Sequence, residues 1–515
     1  MYEYNLGIRF QGVARERAQE TALWLGERER ISYAELNSLA NRTARWLLGM
    51  GVGRSDVVCL SGEKSAETFA CMLACLKLGA VYCALDPDTP PERLRKILST
   101  CRPKLLLTGR DHLGRLDGVA AELGVAAAGK EAAEGYGADD LPETRAVTGG
   151  DPAYIMFTSG STGFPKGAVM THANVLNLVE WGRETFGVTA EDRLTNVNAL
   201  YFDNSVFDFY TALFTGACLV PFSKEETRDP RRLVEKVDAA RCTLWFSVPS
   251  LLIFLQTMKA ADGTRLRSIR RFVFGGEGYP KAKLKALYDA YKGTSELFNV
   301  YGPTECTCIC SSYKITEQDF RDVQGLPPLG RIADNFSYLL LGEGGSAAAP
   351  GAVGELCLLG PQVGLGYYND PERTATAFVQ NPLRDSFREV MYRTGDLARL
   401  DPGDGKLYIQ GRKDNQVKHM GYRVELEEIE AALNCLEYVS EAAALHAHAN
   451  GLSRIVAVVA SRGEFRDEQI RADLRRIIPD YMIPSAFHRE EVLPKNPNGK
   501  VDRKGLAEKY LRPRH

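Results

Sequence analysis

Between Phe157 and Gly167 the chain reads Phe-Thr-Ser-Gly-Ser-Thr-Gly-Phe-Pro-Lys-Gly, a loop with the chemistry to grip phosphate. Glycines let main-chain N–H groups approach an anion, hydroxyls add donors, and Lys166 adds positive charge. A Walker A loop needs Gly-Lys followed by Ser or Thr; here Lys166 follows Pro165 and precedes Gly167. A flexible surface loop has a similar composition, so the order of residues has to decide. Pro497-Asn498-Gly499-Lys500 sets a second lysine on a tight-turn signal, where a lysine is ordinarily a solvated charge. Cys306, Cys308 and Cys310 alternate. On a strand they would share one face, but they lack the paired spacing of a metal site, so structural thiols are expected.

The elements around these residues read as α/β. Ala153 to Phe157 is a buried strand running into the phosphate-type loop, and Val57 to Leu60, Leu244 to Val248 and Arg271 to Phe274 are further strands. Ser65 to Leu78 has helical spacing. This alternation predicts a substantial parallel sheet. Glu131 to Asp151 reads as a surface excursion. Beyond Gly411 the pattern changes to a hairpin over Gln416 to Glu425, turning near Met420-Gly421, then a helix from Glu427, a strand over Arg454 to Val459 and a helix over Glu468 to Ile477. That is a small α+β unit of ordinary domain size.

At 515 residues more than one core is expected. With 64 basic and 66 acidic residues the net charge is -2, which gives no footprint for nucleic acid or an anionic membrane. No apolar run is long enough to span a bilayer, and the N-terminus lacks a signal-peptide pattern. Most of the twelve cysteines lie in apolar runs, as Cys59, Cys71, Cys75 and Cys83 do, so free thiols and a cytoplasmic location are expected.

The loop at 157–167 resembles the phosphate loop of the adenylate-forming ligases. The resemblance continues in order through Tyr301-Gly302-Pro303-Thr304-Glu305, Tyr392-Arg393-Thr394-Gly395-Asp396, Gly411 to Lys418 and Asn498 to Arg503. It spans nearly the whole chain, with weaker stretches at Ile31 to Asn37 and Leu78 to Tyr82. It implies a large N-terminal domain of sheets flanked by helices (1–411), a small mobile α+β C-terminal lid (412–515) and a hinge at Asp414. It also implies ATP and Mg²⁺ as cofactors. The implied reaction joins a carboxylate to ATP, giving an acyl-adenylate and pyrophosphate, followed by transfer to a thiol. Both partners are anions, so positioning and charge neutralisation carry the rate. By resemblance Thr158, Ser159, Gly160, Ser161, Thr162, Gly163 and Lys166 hold the phosphates, and Glu305 with Thr162 holds Mg²⁺. Asn299 and Tyr301 receive adenine beside Gly276, Gly302 and Thr304, Asp396 accepts the ribose hydroxyls, and Arg412 reaches ribose or phosphate. Lys500 is implied as the lysine that bridges the substrate carboxylate and the α-phosphate, and Gly421 as lining a thiol tunnel. The bland alternatives are an exposed loop carboxylate for Glu305, a core aromatic for Tyr301, a structural salt bridge for Asp396 and Arg412, and a plain hairpin turn for Gly421.

Phe202-Asp203-Asn204-Ser205-Val206-Phe207 directs the resemblance toward amino-acid adenylation domains of the nonribosomal peptide synthetase type, which carry Asp at this position. A carboxylate among aromatics needs a cation to offset desolvation, and an α-ammonium supplies one. An N-cap or an Arg pair is the structural alternative. Asn204, Phe207, Phe246, Val273, Gly275, Val300, Cys308 and Ile309 are implied as the side-chain pocket. Two phenylalanines argue for a small, neutral α-amino acid such as alanine, glycine, serine or proline. The chain is also similar to D-alanine–carrier-protein ligases. No carrier motif follows Lys500, so a phosphopantetheinylated carrier protein acting in trans is the expected acceptor. The competing expectation is an acyl- or aryl-CoA ligase of the same superfamily.

Overall fold

The apolar runs become strands of two largely parallel sheets in a computed structural model, which describes residues 3–109, 113–129, 133, 135–160, 164–449, 452–461, 466–495 and 501–511. The chain divides into two compact units: Met1–Pro87, Thr100–Phe157 and Gly167–Lys413 in the larger, Asp88–Ser99, Thr158–Lys166 and Asp414–His515 in the smaller. The division follows Lys413, two residues beyond the boundary read from sequence, and it groups the phosphate-type loop with the C-terminal residues.

In the larger unit one nine-stranded sheet runs, from edge to edge, Arg331–Ile332, Ser311–Lys314, Glu296–Tyr301, Arg271–Gly275, Leu244–Ser247, Arg193–Asn196, Cys218–Pro221, Thr21–Gly26 and Glu29–Ser32. Its six central strands are parallel and its edges antiparallel. A seven-stranded sheet has Val57–Ser61, Val81–Leu85 and Pro152–Thr158 in its middle. Parallel strands covered on both faces read as unbroken apolar runs, which is why the sequence disclosed them. The helix Ala66–Leu78 is buried on all sides. The Ser65 side chain caps its start and Gly79, at φ 68°, ends it in the left-handed conformation. A third, antiparallel sheet holds Val353–Leu359, Val390–Leu400 and Leu407–Arg412.

The stretch read as a surface excursion is anchored instead. Leu141, Thr144 and Val147 are buried, and the Asn5 amide donates to the carbonyls of Thr144 and Val147 at 2.9 and 2.8 Å. Short polar stretches give no periodic signal of such anchoring. Nearby, buried His172 Nδ1 accepts the Leu6 N–H at 3.1 Å. Burial pulls this imidazole down to about 4. The unfolded chain then takes up the proton first as pH falls, so the stability contributed by neutral His172 is complete above its ordinary value near 6.5 and is lost toward 4. Denaturant titrations should show roughly 2 kcal/mol of this loss between pH 7 and pH 5, and His172→Gln should flatten that part of the profile.

In the smaller unit the hairpin Gln416–His419/Tyr422–Glu425 turns at Met420 (φ 52°) and Gly421 (φ 84°), the left-handed pair of a tight hairpin turn. The helix Leu426–Asn434 packs beside a three-stranded sheet of Val439–Ala449, Leu452–Ser461 and Ala486–Glu490. Arg93 pairs with Glu428, both buried, within this unit. No helix among the described residues is long and apolar enough to cross a membrane.

Candidate functional site

Three neighbouring parallel strands of the larger unit bring together residues read from the sequence as a side-chain pocket. Phe246 lies opposite Val273 in register, Val273 opposite Phe298, and Gly275 opposite Val300. The two-residue period of a strand puts Val273 and Gly275 on one face. A Cβ on Gly275 would stand 2.5 Å from the Val300 carbonyl oxygen, so only glycine lets these strands meet here. The helix Asn204–Leu213 adds Asn204 and Phe207, and the loop after Thr304–Cys306 adds Cys308 and Ile309. Phe207, Phe246, Val273, Val300, Cys308 and Ile309 belong to one buried cluster. The Phe207 and Phe246 rings meet edge to face at 5.0 Å. The residues read as a side-chain pocket are therefore gathered together, with Phe202 half-buried beside them against Tyr201.

Asp203 precedes that helix, but its side chain does not cap it. Its Oδ2 instead accepts the Thr304 hydroxyl at 2.6 Å. The N-cap alternative is thereby overturned: at φ -63°, ψ -24° the backbone of Asp203 is already helical, not in the extended form of a capping residue. Thr304 and Glu305 lie in a short 3-10 turn, and the residues flanking that turn approach each other closely. A Cβ on Gly302 would stand 2.4 Å from the Cys308 carbonyl oxygen. Thr307 and Cys308 both have left-handed backbones, φ 60° and 74°. Cys306, Cys308 and Cys310 therefore do not share a strand face, since a turn with two positive-φ residues has no strand alternation. All three thiols are buried, and no group of metal-ligating side chains forms among the described residues.

Glu305 is fully buried, not an exposed loop carboxylate. Its Oε1 accepts the Tyr367 hydroxyl at 2.8 Å. Tyr367 is a site residue that the sequence reading missed, because it lies 62 positions away with no local signal. Asp396 and Arg412 are cross-strand partners on Val390–Leu400 and Leu407–Arg412. Arg412 Nη1 donates to Asp396 Oδ1, and the Tyr301 hydroxyl to Asp396 Oδ2, each at 2.5 Å. The salt bridge considered for this pair is present. Each carboxylate oxygen keeps a second lone pair for another donor. Tyr301 is buried, and burial followed by the Asp396 charge pushes its phenol well up, so it remains a donor. The Asn299 amide donates to the Pro328 carbonyl at 2.9 Å, which leaves its oxygen as an acceptor suited to an exocyclic amine. Gly276, at φ 86°, turns the chain beside Asn204.

In the smaller unit the phosphate-type loop begins at Thr158, whose hydroxyl is buried without a hydrogen-bond partner among the described residues. Ser159 Oγ donates to the Arg423 carbonyl at 2.6 Å, and Lys166 Nζ lies 3.7 Å from Glu425. A Cβ on Gly160 would stand 2.1 Å from the Phe164 carbonyl oxygen. Asp414 Oδ1 accepts the Gln416 N–H at 3.3 Å, just past the division of the units. Ser161, Thr162, Gly163 and Lys500 lie outside the described residues.

Taken separately, the groups of the larger unit suit a ribose, a base and a hard cation, and those of the smaller unit suit a phosphate. An unpartnered buried hydroxyl beside a glycine cradle meets an anion well, and a carboxylate with spare lone pairs meets hydroxyls. Magnesium typically takes one or two carboxylates plus phosphate oxygens, a role a buried carboxylate such as Glu305 can serve.

The model of the AMP-binding enzyme family matches residues 10–368, and that of the AMP-binding enzyme C-terminal domain matches 428–500. The chain is 36% identical to tyrocidine synthase 2 of Brevibacillus parabrevis over 96% of its own length, but spans only 13% of that protein. Its fold is similar to that of holo-PA1221, a nonribosomal peptide synthetase protein containing adenylation and PCP domains (TM-score 0.84, 25% identity, 98% of this chain and 84% of that one). It is equally similar in fold to an o-succinylbenzoate CoA synthetase of Bacillus subtilis (TM-score 0.85, 21% identity, 98% of both chains). The chain belongs to the family of AMP-binding enzymes: it is an ATP-dependent, adenylate-forming ligase, similar to the adenylation domains of nonribosomal peptide synthetases.

Proposed function

We propose that this ligase activates a small neutral α-amino acid as its aminoacyl-adenylate and passes the acyl group to the phosphopantetheine thiol of a carrier protein. The observation that carries the reading is Asp203, a half-buried carboxylate that accepts the Thr304 hydroxyl and directly precedes the helix bearing Asn204 and Phe207. A substrate ammonium offsets the cost of keeping that charge there, whereas a fatty or aryl acid has no use for it.

In this reading Asp203 orients the amino acid by its α-ammonium, and the substrate's carboxylate oxygen attacks the α-phosphorus as pyrophosphate leaves. Thr158, Ser159, Ser161, Thr162 and Lys166 hold the phosphates, with Gly160 and Gly163 allowing close approach. Asn299 and Tyr301 receive the base, and Asp396 and Arg412 the ribose. Glu305, steadied by Tyr367, would hold Mg²⁺ with Thr162, and the ion would neutralise phosphate charge. Lys500 bridges the carboxylate and α-phosphate as negative charge builds, and the segment beyond Asp414 serves as the mobile lid.

Asp396→Asn is expected to raise the KM for ATP about 10- to 100-fold, the range for a hydrogen bond involving a charged group, with little change in the KM for the amino acid. Steady-state exchange kinetics varying each substrate in turn would check it. The reading as a whole is tested by ATP–pyrophosphate exchange with the proteinogenic amino acids, D-alanine, β-alanine and representative aryl and fatty acids. Exchange with one small amino acid supports it. Exchange only with acids that lack an amino group favours the second reading, an acyl- or aryl-CoA ligase, to which the similarity in fold to a CoA synthetase also points.

A further inference from the structure

Within the smaller unit two histidines share one serine hydroxyl. Ser453 Oγ lies 2.7 Å from His419 Nδ1, 2.7 Å from His446 Nε2 and 3.4 Å from the Lys418 carbonyl oxygen. His419 is buried, and Ser453 and His446 are half-buried. None of the three has a part in the function proposed above.

Strand alternation brings them together. On Val439–Ala449 and Leu452–Ser461, the residues Ala442, Ala444, Ile455 and Ala457 pack in one core with Ile429 and Leu433 of the helix. The two-residue period of a strand carries His446 and Ser453 onto that same face. Val417 and Tyr422 of the hairpin pack against this core, and His419 stands one period beyond Val417. The shared hydroxyl thus joins the first hairpin strand to the sheet. The second hairpin strand meets the phosphate-type loop, where the Arg423 carbonyl accepts Ser159 Oγ at 2.6 Å and Glu425 lies 3.7 Å from Lys166.

A hydroxyl has one proton to give and two lone pairs. With both imidazoles neutral, Ser453 donates to one ring and accepts the N–H of the other. A first added proton turns the accepting ring into a donor, and the hydroxyl proton swings to the Lys418 carbonyl. A second added proton sets two imidazolium charges on one oxygen, and like charges so close and partly desolvated repel. The neighbouring carboxylates have other partners. Glu428 pairs with Arg93, Glu430 with Arg503 and Glu441 with Lys495, while Glu427 accepts the Asn415 amide and Glu425 the Gln416 amide, each at 2.6 Å. Lys418 and Arg423 on the hairpin, Arg454 on the sheet and Arg489 on Ala486–Glu490 add positive charge.

We propose that His419, Ser453 and His446 form a proton-operated fastening, closed while the two imidazoles carry at most one charge and released when both are charged. Acidification then frees the hairpin Gln416–Glu425 from its sheet and loosens its hold on the phosphate-type loop. The released hairpin takes up one proton more than the fastened one. The fastening is therefore complete above the ordinary histidine value near 6.5 and gives way as pH falls below it, by up to about tenfold in equilibrium per pH unit.

Hydrogen–deuterium exchange of the full chain, corrected for intrinsic exchange rates and compared between pH 7 and pH 5, tests the proposal. Peptides of the larger unit serve as the reference, because His172 titrates over the same range. Protection over residues 416–425 should fall about tenfold more than the reference. His446→Gln keeps a side chain able to hydrogen-bond Ser453 but unable to take up a proton, so it should hold the hairpin protected at both pH values. Ser453→Ala removes the shared oxygen and should leave the hairpin weakly protected at both. A fall in the unaltered chain no larger than the reference overturns the proposal, as does one that persists undiminished in His446→Gln. Should that variant not fold, Ser453→Ala decides in its place, since an undiminished pH-linked fall without the shared hydroxyl overturns the proposal equally.

Discussion

Replacing Asp203 by alanine is expected to lower kcat/KM for the amino acid by about a hundred- to several-thousandfold in ATP–pyrophosphate exchange. The size reflects the loss of charge pairing. A substrate ammonium entering the pocket would lose its only proposed counter-charge, and breaking one partner of a desolvated pair costs about 3–5 kcal/mol. The Thr304 hydroxyl, which now donates to Asp203 at 2.6 Å, would lose its acceptor too. ATP does not meet this carboxylate in the proposed arrangement, so the KM for ATP should hold within a few-fold. Asp203→Asn separates charge from shape, since an amide of the same size keeps an acceptor for Thr304 but carries no charge. Its activity should fall nearly as far as that of the alanine variant. Undiminished exchange in either variant would make Asp203 a structural residue and move the enzyme toward the CoA-ligase reading.

Lys500→Ala is expected to slow adenylation by roughly a hundred- to a thousandfold, the usual cost of removing one preorganised donor aimed at developing negative charge. Transfer of the acyl group from a supplied aminoacyl-adenylate to a thiol should stay close to the wild-type rate, because Lys500 is assigned to the adenylation half-reaction alone. The contrast between the two half-reactions is the informative measurement. A general folding defect would depress both, and so would a lysine needed only for the shape of the protein; parallel losses would falsify the assignment.

Much of the fold was legible because parallel strands announce themselves. Pro152–Thr158, Val57–Ser61, Leu244–Ser247 and Arg271–Gly275 all stand in the sequence as short apolar runs, and Ser65 marks its helix as a cap. The hairpin turn at Met420-Gly421 is marked by its glycine. The failures came where local pattern and long-range geometry part. Cys306, Cys308 and Cys310 have the period of a strand but span a 3-10 turn and two left-handed residues. Tyr367 on Glu305, Asn198 on Phe246 and Tyr301 on Asp396 join residues 48 to 95 positions apart, and nothing at either end of such a pair signals the other. The residues read as a side-chain pocket were gathered from motif order, whereas the contacts of buried Asp208 with Asn196 and Asn198 come together only once the strands are assembled.

The left-handed backbone at Thr307 and Cys308 bears on how the proposed substrate pocket could be varied. Thr307 is held in place by its hydroxyl on the Gln362 carbonyl at 2.7 Å, and Gly302 closes against Cys308 from the other side. A β-branched residue at position 308 would meet a steep conformational penalty whatever its size, while asparagine or glycine would not. Libraries that treat position 308 as freely exchangeable would therefore lose their β-branched members to backbone strain. If the proposed amino-acid pocket holds, diversity placed at Val273 and Val300, on regular strand, avoids that strain, so new substrates are to be sought through the sheet and not through the loop.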